Sequence, residues 1–174
     1  MTTQTSTTTP PRGGSTAPKG AVAEEKTADA LALLKADHRT VEALFEEFES
    51  ARKPERKLSI VQSICDELTV HAELEETKFY PAVREALKRD EDLIDEAEVE
   101  HASLKWLISQ LRSARPDSDH FEARVTVLKE YVQHHVKEEE KSMFPKIRKS
   151  SLDTSALGVV LQEAKEKIQA KLKH

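Results

Sequence analysis

Cysteine, glycine, aromatic residues and long apolar runs are all scarce in this chain of 174 residues. The single cysteine excludes an intrachain disulfide framework and a cysteine-rich zinc site. Four glycines and 5% aromatic residues disfavour a β-sandwich or barrel, whereas abundant Glu, Lys, Ala and Leu favour helices. No apolar run approaches the about 20 residues that span a bilayer, and the N-terminus lacks the apolar core of a secretory signal. We therefore expect a cytoplasmic protein with no membrane partner.

The charge balance is acidic, with 27 Lys and Arg residues against 32 Asp and Glu residues and a formal net charge of −5. A nucleic-acid-binding protein would be expected to present a basic face to the phosphate backbone. The composition therefore predicts no nucleic-acid partner.

Hydrophobic periodicity divides the chain into three parts and predicts an all-α fold. Residues 1–26 are rich in Thr, Ser, Pro and Gly and have no apolar period, which predicts a disordered leader. Residues 27–149 contain four apolar stripes with helical spacing, which predict an antiparallel up-down-up-down four-helix bundle. Pro81 is expected to kink or shorten the second helix. Residues 150–174 form a fifth, amphipathic helix, expected to cover the bundle or to mediate self-association with a second copy.

Six polar residues interrupt the apolar stripes. They are His38, His71, Glu75, His101, His135 and Glu139. A buried, unpaired carboxylate costs on the order of several kcal/mol, and no Lys or Arg in the stripes offsets the two glutamates. In both His-x3-Glu pairs the side chains share one helical face, about one turn apart. Two divalent cations about 3.5–4 Å apart, joined by carboxylate oxygens, would satisfy both pairs.

An internal repeat supports a metal site. The segment 71–81 aligns without gaps on the segment 135–145, so that the histidine, two glutamates and the proline coincide. His38 maps onto His101 at nearly the same offset. Each half thus provides one histidine from its first helix and a His-x3-Glu pair from its second. A lone histidine on an apolar face is more often a hydrogen-bonded core residue, but this repeated set favours metal ligation.

The chain resembles the hemerythrin-like, or HHE cation-binding, domain family over about residues 31–148. The resemblance rests on His38 and His101 and on both His-x3-Glu pairs with the glutamates 76 and 140 that follow them. It also rests on the aromatic-proline pair at the end of each repeat. It implies a four-helix bundle around two non-haem iron ions with carboxylate and oxo or hydroxo bridges. By position, the four histidines would be terminal iron ligands, and Glu75 and Glu139 would be the bridging carboxylates.

Two positions depart from the oxygen-carrying members of that family. Lys105 stands where they have a second histidine one turn after the histidine of the third helix, and Glu139 stands where they have an aspartate at a longer spacing. One iron would therefore lack a nitrogen ligand, which leaves room for water, another carboxylate or a tyrosine. Glu42, four residues after His38, is a further candidate for an oxygen ligand.

The donor set and the resemblance favour a non-haem di-iron protein that binds or senses dioxygen, iron or a related small ligand. Nitrogen and carboxylate ligands without thiolate suit iron or manganese, and zinc would also fit. The alternative is a di-iron enzyme, catalase- or oxidase-like, that acts on peroxide or dioxygen. In a third interpretation the metal only stabilises a helical module that recruits a partner. The sequence does not separate the first two, because both need the same ligands.

Overall fold

The computed structural model describes residues 1–2 and 29–172, and its helices follow the predicted stripes. The helices are α1 (Ala30–Ser50), α2 (Pro54–Leu74), α3 (Tyr80–Ala86), α4 (Glu91–Arg112), α5 (Phe121–Glu138), α6 (Phe144–Ile147) and α7 (Thr154–Leu172). No strand occurs within the described residues. The all-α prediction is therefore confirmed, while the leader predicted over residues 1–26 lies, beyond its first two residues, outside the part described.

Local chemistry explains where the first helices begin. The Asp29 carboxylate accepts hydrogen bonds from the backbone N–H groups of Leu31 and Ala32, which caps α1. Pro54 occupies the first turn of α2, where its missing N–H has no helical partner to lose. Helix α1 then packs on α2, α2 on α4, and α4 on α5, as expected of antiparallel neighbours with short connections.

Two five-residue π-helical segments, Glu75–Phe79 and Glu139–Met143, continue α2 into α3 and α5 into α6. In each, a backbone N–H donates to a carbonyl five residues back, from Tyr80 to Glu75 and from Phe144 to Glu139. The prolines that follow have no N–H and cannot make the ordinary α-helical bond, so the helix widens there. At Pro81, where a kink or a shortening of the second helix is expected, the structure shows the π segment, and the helical path runs on through it to Ala86.

Buried apolar side chains form two main clusters, with a polar layer between them. On α1, for example, Leu34 belongs to one cluster and Val41 to the other, and His38 lies between them in sequence. Leu68 of the second cluster precedes His71 on α2, and Leu104 of the same cluster follows His101 on α4. The predicted polar positions therefore form one cross-section of the bundle.

Helix α7 lies against α1 and α2 and covers the bundle. Leu161 is completely buried in the cluster that also contains Leu31 and Leu34, and Ile168 packs with Val70 and Leu74 of α2. Of the two roles expected for this helix, covering the bundle is the one that the structure displays. Among the described residues, none of the helices combines the length and apolar character needed to cross a bilayer.

Candidate metal centre

The structure brings all six predicted polar residues together in the interior of the bundle. Their relative exposures lie between 0% and 6%. His38 comes from α1, His71 from α2, His101 from α4 and His135 from α5, whereas each glutamate opens a π segment. Helical periodicity thus places one histidine from each bundle helix in the same layer.

The donor atoms form two groups that could each hold a metal ion, with all atoms of a group within 4.8 Å of one another. The first group comprises His38, His71, Glu75 and Glu139, and the second comprises Glu75, His101 and His135. The Nε2 atoms of His38 and His71 are 3.2 Å apart, as are those of His101 and His135. Because Glu75 belongs to both groups, two ions held there would share its carboxylate.

Both carboxylates lie between the histidine pairs. Oε2 of Glu75 is 3.2 Å from Nε2 of His71 and 3.3 Å from Nε2 of His101. Oε2 of Glu139 is 3.3 Å from Nε2 of His38 and 3.9 Å from Nε2 of His135. This crossed arrangement fits the bridging role that the family resemblance implies for both glutamates.

Buried polar atoms without hydrogen-bond partners test whether a cation fits this cluster. Oε1 of Glu75 and Oε2 of Glu139 are buried and accept no hydrogen bond from the described residues. An unsatisfied buried acceptor costs about 1–3 kcal/mol, and more when it is charged. A divalent cation would satisfy these oxygens and the imidazole nitrogens together, so the residues present fit a metal.

The carboxylates and imidazoles of the cluster shift one another's pKa values. Burial opposes ionisation of Glu75, but the neighbouring imidazoles of His71, His101 and His135 hold the pKa of its carboxyl well below the usual range. Burial likewise opposes protonation of His135, yet the carboxylates around it, chiefly Glu139, raise its pKa to about 10. The cluster by itself therefore balances carboxylate charge with protons, which a metal would displace.

A carboxylate faces the outer nitrogen, Nδ1, of every histidine in the layer. Nδ1 of His38 donates to Glu140 at 2.9 Å, and Nδ1 of His101 donates to Glu76 at 3.1 Å. Such partners fix the tautomer in which Nε2 is free to bind a metal. His38 of the first half of the repeat thus pairs with Glu140 of the second half, and His101 of the second half pairs with Glu76 of the first. Each half therefore supplies a carboxylate to a histidine of the other half.

Two further outer carboxylates are not among the sequence-predicted residues. Nδ1 of His135 donates to Glu100 at 2.8 Å, and Asp37 lies 3.7 Å from Nδ1 of His71, an ion-pair distance beyond a hydrogen bond. Asp37 directly precedes His38, and Glu100 directly precedes the corresponding histidine of the second half. That shared acidic position in the repeat is the signal that could have revealed them.

Each outer carboxylate also contacts a basic side chain. Arg39 binds Glu140, Lys105 binds Glu76 at 2.6 Å, His134 lies 3.1 Å from Glu100, and Lys165 of α7 binds Asp37. Lys105, which replaces a histidine of the oxygen carriers, thus holds an outer carboxylate. His134, which helical geometry predicts to point about 100° away from its neighbour, is 59% exposed at its side chain and lies outside the inner shell.

Among the remaining candidates, Tyr80 reaches the centre and Glu42 does not. The Tyr80 hydroxyl is 3.1 Å from Oε1 of Glu139, 3.3 Å from Oε2 of Glu75 and 3.4 Å from Nε2 of His101. Burial and the two carboxylates raise the pKa of this phenol well above its usual value, so it keeps its proton. Glu42 is half exposed and pairs with Arg39 instead.

The π segment explains why helical periodicity does not place Tyr80 at the centre. On a regular α-helix, a residue five positions after Glu75 would point about 140° away from it. The wider turn that begins at Glu75 brings the Tyr80 hydroxyl back to the same side. A periodicity argument that assumes 3.6 residues per turn cannot find this contact.

A small apolar cavity adjoins the histidines inside the bundle. Its free volume, about 20 Å³, exceeds the about 10–15 Å³ that one water molecule needs. Its lining includes Val41, Leu68, Leu104, Ile108 and Val132. The space beside the donor atoms therefore suits a small molecule.

Comparison with known proteins agrees with this geometry. The model of the hemerythrin HHE cation-binding domain matches residues 29–147. A curated relative from Nostoc sp. strain PCC 7120, described as a DNA nickase, is 33% identical over 144 residues, covering 80% of this chain and 40% of the relative. This chain therefore spans well under half of that relative's length.

A solved structure shares the fold. It is the crystal structure of a hemerythrin HHE cation-binding domain-containing protein from Mycobacterium kansasii, with a TM-score of 0.71 and 22% sequence identity. The match covers 83% of this chain and 89% of the solved one, so most of the bundle described above has a counterpart there.

Proposed function

Because this chain belongs to the hemerythrin HHE cation-binding domain family, we propose that it binds two non-haem iron ions and uses them to bind or sense dioxygen, iron or a related small ligand. The observation that supports this proposal is the pair of buried donor groups sharing Glu75. The ligand assignment of the individual residues is part of the proposal.

In the proposed centre each iron has its own pair of histidines. His38 and His71 would hold one ion and His101 and His135 the other, with Glu75 and Glu139 between them. Imidazole and carboxylate ligands without thiolate suit iron, and a bound pair of ions would supply a redox-active, electrophilic centre. The chain's own residues orient the imidazoles of His38, His101 and His135 through hydrogen bonds at Nδ1 and keep water away by burial.

The apolar cavity supports a small ligand over a large substrate. Apart from the histidines, Asp37 and Lys105, its walls are apolar, and its free volume of about 20 Å³ is small. A weakly polar diatomic molecule such as dioxygen or nitric oxide matches both properties, because it loses little hydration on entering an apolar space.

The alternative function, a di-iron enzyme acting on peroxide or dioxygen, is favoured by one observation. Tyr80 places a protonated phenol beside the bridging Glu75 and Glu139 carboxylates. A reaction that cleaves or reduces an oxygen species needs a proton, and a buried phenol within hydrogen-bond distance can donate one. Replacement of Tyr80 by phenylalanine would slow peroxide turnover in an enzyme yet leave simple ligand binding largely intact.

DNA cleavage, the activity in the name of the Nostoc relative, is not proposed for this chain. The chain covers 40% of that relative, and its formal net charge of −5 opposes binding to a phosphate backbone. Incubation of iron-loaded protein with supercoiled plasmid, with metal-free protein as the control, measures this point, and we expect no relaxed product.

Anaerobic titration with iron(II), followed by stopped-flow mixing with dioxygen and then with peroxide, tests the proposal. We expect about two irons per chain and a near-ultraviolet charge-transfer band after oxidation. A reversible dioxygen adduct supports binding or sensing, whereas many turnovers of peroxide per chain support the enzyme. Purified protein that takes up no iron under these conditions would refute the proposed function.

A further inference from the structure

Helix α7 lies outside the four-helix bundle, yet one of its side chains enters the polar network of the centre. Lys165 donates to Oδ1 of Asp37, and Oδ2 of Asp37 faces Nδ1 of His71 at 3.7 Å. The Lys165 side chain is 17% exposed and that of Asp37 is 9% exposed, so the ion pair is largely withdrawn from water. The contacts therefore run from α7, through α1, to a candidate ligand on α2.

Among the residues described, this contact has no counterpart in the other half of the internal repeat. The other three outer carboxylates bind basic side chains of the bundle itself, namely Arg39 of α1, Lys105 of α4 and His134 of α5. Within the described residues, Asp37 alone of the four receives its basic partner from α7. The two donor groups therefore differ in one respect, since only the group with His71 depends on the C-terminal helix.

Apolar packing ties α7 to the same stretch of α2. Ile168 of α7 contacts Val70 and Leu74, which flank His71 in the sequence of α2. A helix docked there fixes both the backbone around His71 and, through Lys165, the carboxylate that faces its imidazole. Departure of α7 would leave Asp37 without its cation and would expose Leu74 and Val70 to water.

We propose that α7 is a metal-responsive element: Lys165 holds Asp37, Asp37 orients the His71 imidazole toward the ion of the His38–His71 group, and that ion in turn keeps α7 docked. The inference rests on the proposed function, because it needs metal at that group. Linked equilibria are reciprocal, so a docked helix that tightens metal binding is itself held more tightly by the metal, by the same factor. Loss of that one ion would therefore weaken the docking of α7, so that the surface of α2 beneath it becomes accessible when the metal is absent.

Metal titration of full-length variants tests the first half of this coupling. Anaerobic iron(II) titrations compare the unaltered chain with Lys165→Met, Asp37→Asn and Lys165→Arg. In the Met and Asn variants we expect one of the two irons to bind about 10-fold to 100-fold more weakly, while the other keeps its affinity. Lys165→Arg keeps the ion pair and should retain both affinities. Lys167→Met, at an exposed position of the same helix, removes the same charge and should change neither.

Hydrogen exchange of the backbone amides of α7 (Thr154–Leu172) tests the second half. In the unaltered chain we expect these amides to exchange more slowly with iron bound than without it, and we expect Lys165→Met to remove that difference. Equal exchange with and without iron in the unaltered chain would overturn the proposal, as would unchanged affinities in Asp37→Asn. Either result leaves the proposed function standing, whereas an unaltered chain that binds no iron ends both.

Discussion

Replacement of Glu75 by alanine is the sharpest perturbation of the centre, because Glu75 belongs to both donor groups and is completely buried. A ligand at 100 times its dissociation constant stabilises the folded state by about 2.7 kcal/mol, so two irons, each at that excess, would contribute about 5.4 kcal/mol. For a domain of this size, each kcal/mol raises the melting temperature by about 2–4 °C. Iron should therefore raise the melting temperature of the unaltered chain by about 11–22 °C and that of Glu75→Ala by a small fraction of this.

The assay compares each variant with itself, with and without iron(II), in anaerobic thermal melts and in metal analysis after desalting. This comparison removes any direct effect of the substitution on the metal-free fold. Glu42→Ala is the matched control, since Glu42 is half exposed, pairs with Arg39 and lies outside both donor groups. If Glu75→Ala retained about two irons and the full thermal shift, or if Glu42→Ala lost them, the assignment of the bridge would be refuted.

Three further predictions concern the rest of the chain. Burial raises the pKa of the Cys65 thiol from 9.0 to about 11, so its contribution to stability is complete below pH 9 and is lost between pH 9 and 11. Urea melts of the unaltered chain should lose up to about 2.7 kcal/mol more over that interval than melts of Cys65→Ala, and parallel curves would contradict this. Leu161→Ala, in α7, should cost about 2–5 kcal/mol in the same melts, whereas Val160→Ala, at a half-exposed neighbour, should cost little. His134→Ala should leave the iron content unchanged, because the contact of this 59% exposed side chain with Glu100 is screened by water, unlike the buried pair of Lys165 and Asp37. A loss equal to that of Glu75→Ala would show that the ligand register is displaced by one residue.

The bundle and its polar layer were accessible from the sequence because both depend on local periodicity. A histidine such as His101 is conspicuous when Leu104 and Ile108 continue the same apolar stripe, and a four-helix arrangement follows from stripes of that length with short connections. The two π segments were not accessible in this way. Their position depends on which backbone hydrogen bonds can form next to Pro81 and Pro145, which have no N–H to donate. Hydrophobic periodicity carries no information about those bonds.

The outer carboxylates were only partly accessible, because their partners come from other helices. Glu76 and Glu140 follow the repeated glutamates and could be assigned an accepting role. Which histidine each glutamate binds depends on how the two halves of the repeat pack. In the structure, each glutamate binds a histidine of the other half. Lys165 shows the limit most clearly, since a lysine on an amphipathic helix gives no sign that its ammonium group reaches Asp37.

The polar layer between the two apolar clusters also fixes the alignment of the four bundle helices along their common axis. Each of them has one histidine in that layer, with apolar residues above and below it. A helix that slid by one turn, about 5.4 Å, would carry its imidazole into a layer of leucine and phenylalanine and would bring an apolar side chain among the carboxylates. Alternative alignments of an otherwise repetitive, leucine-rich bundle are thereby disfavoured. The candidate metal ligands therefore also determine the axial register of the four helices.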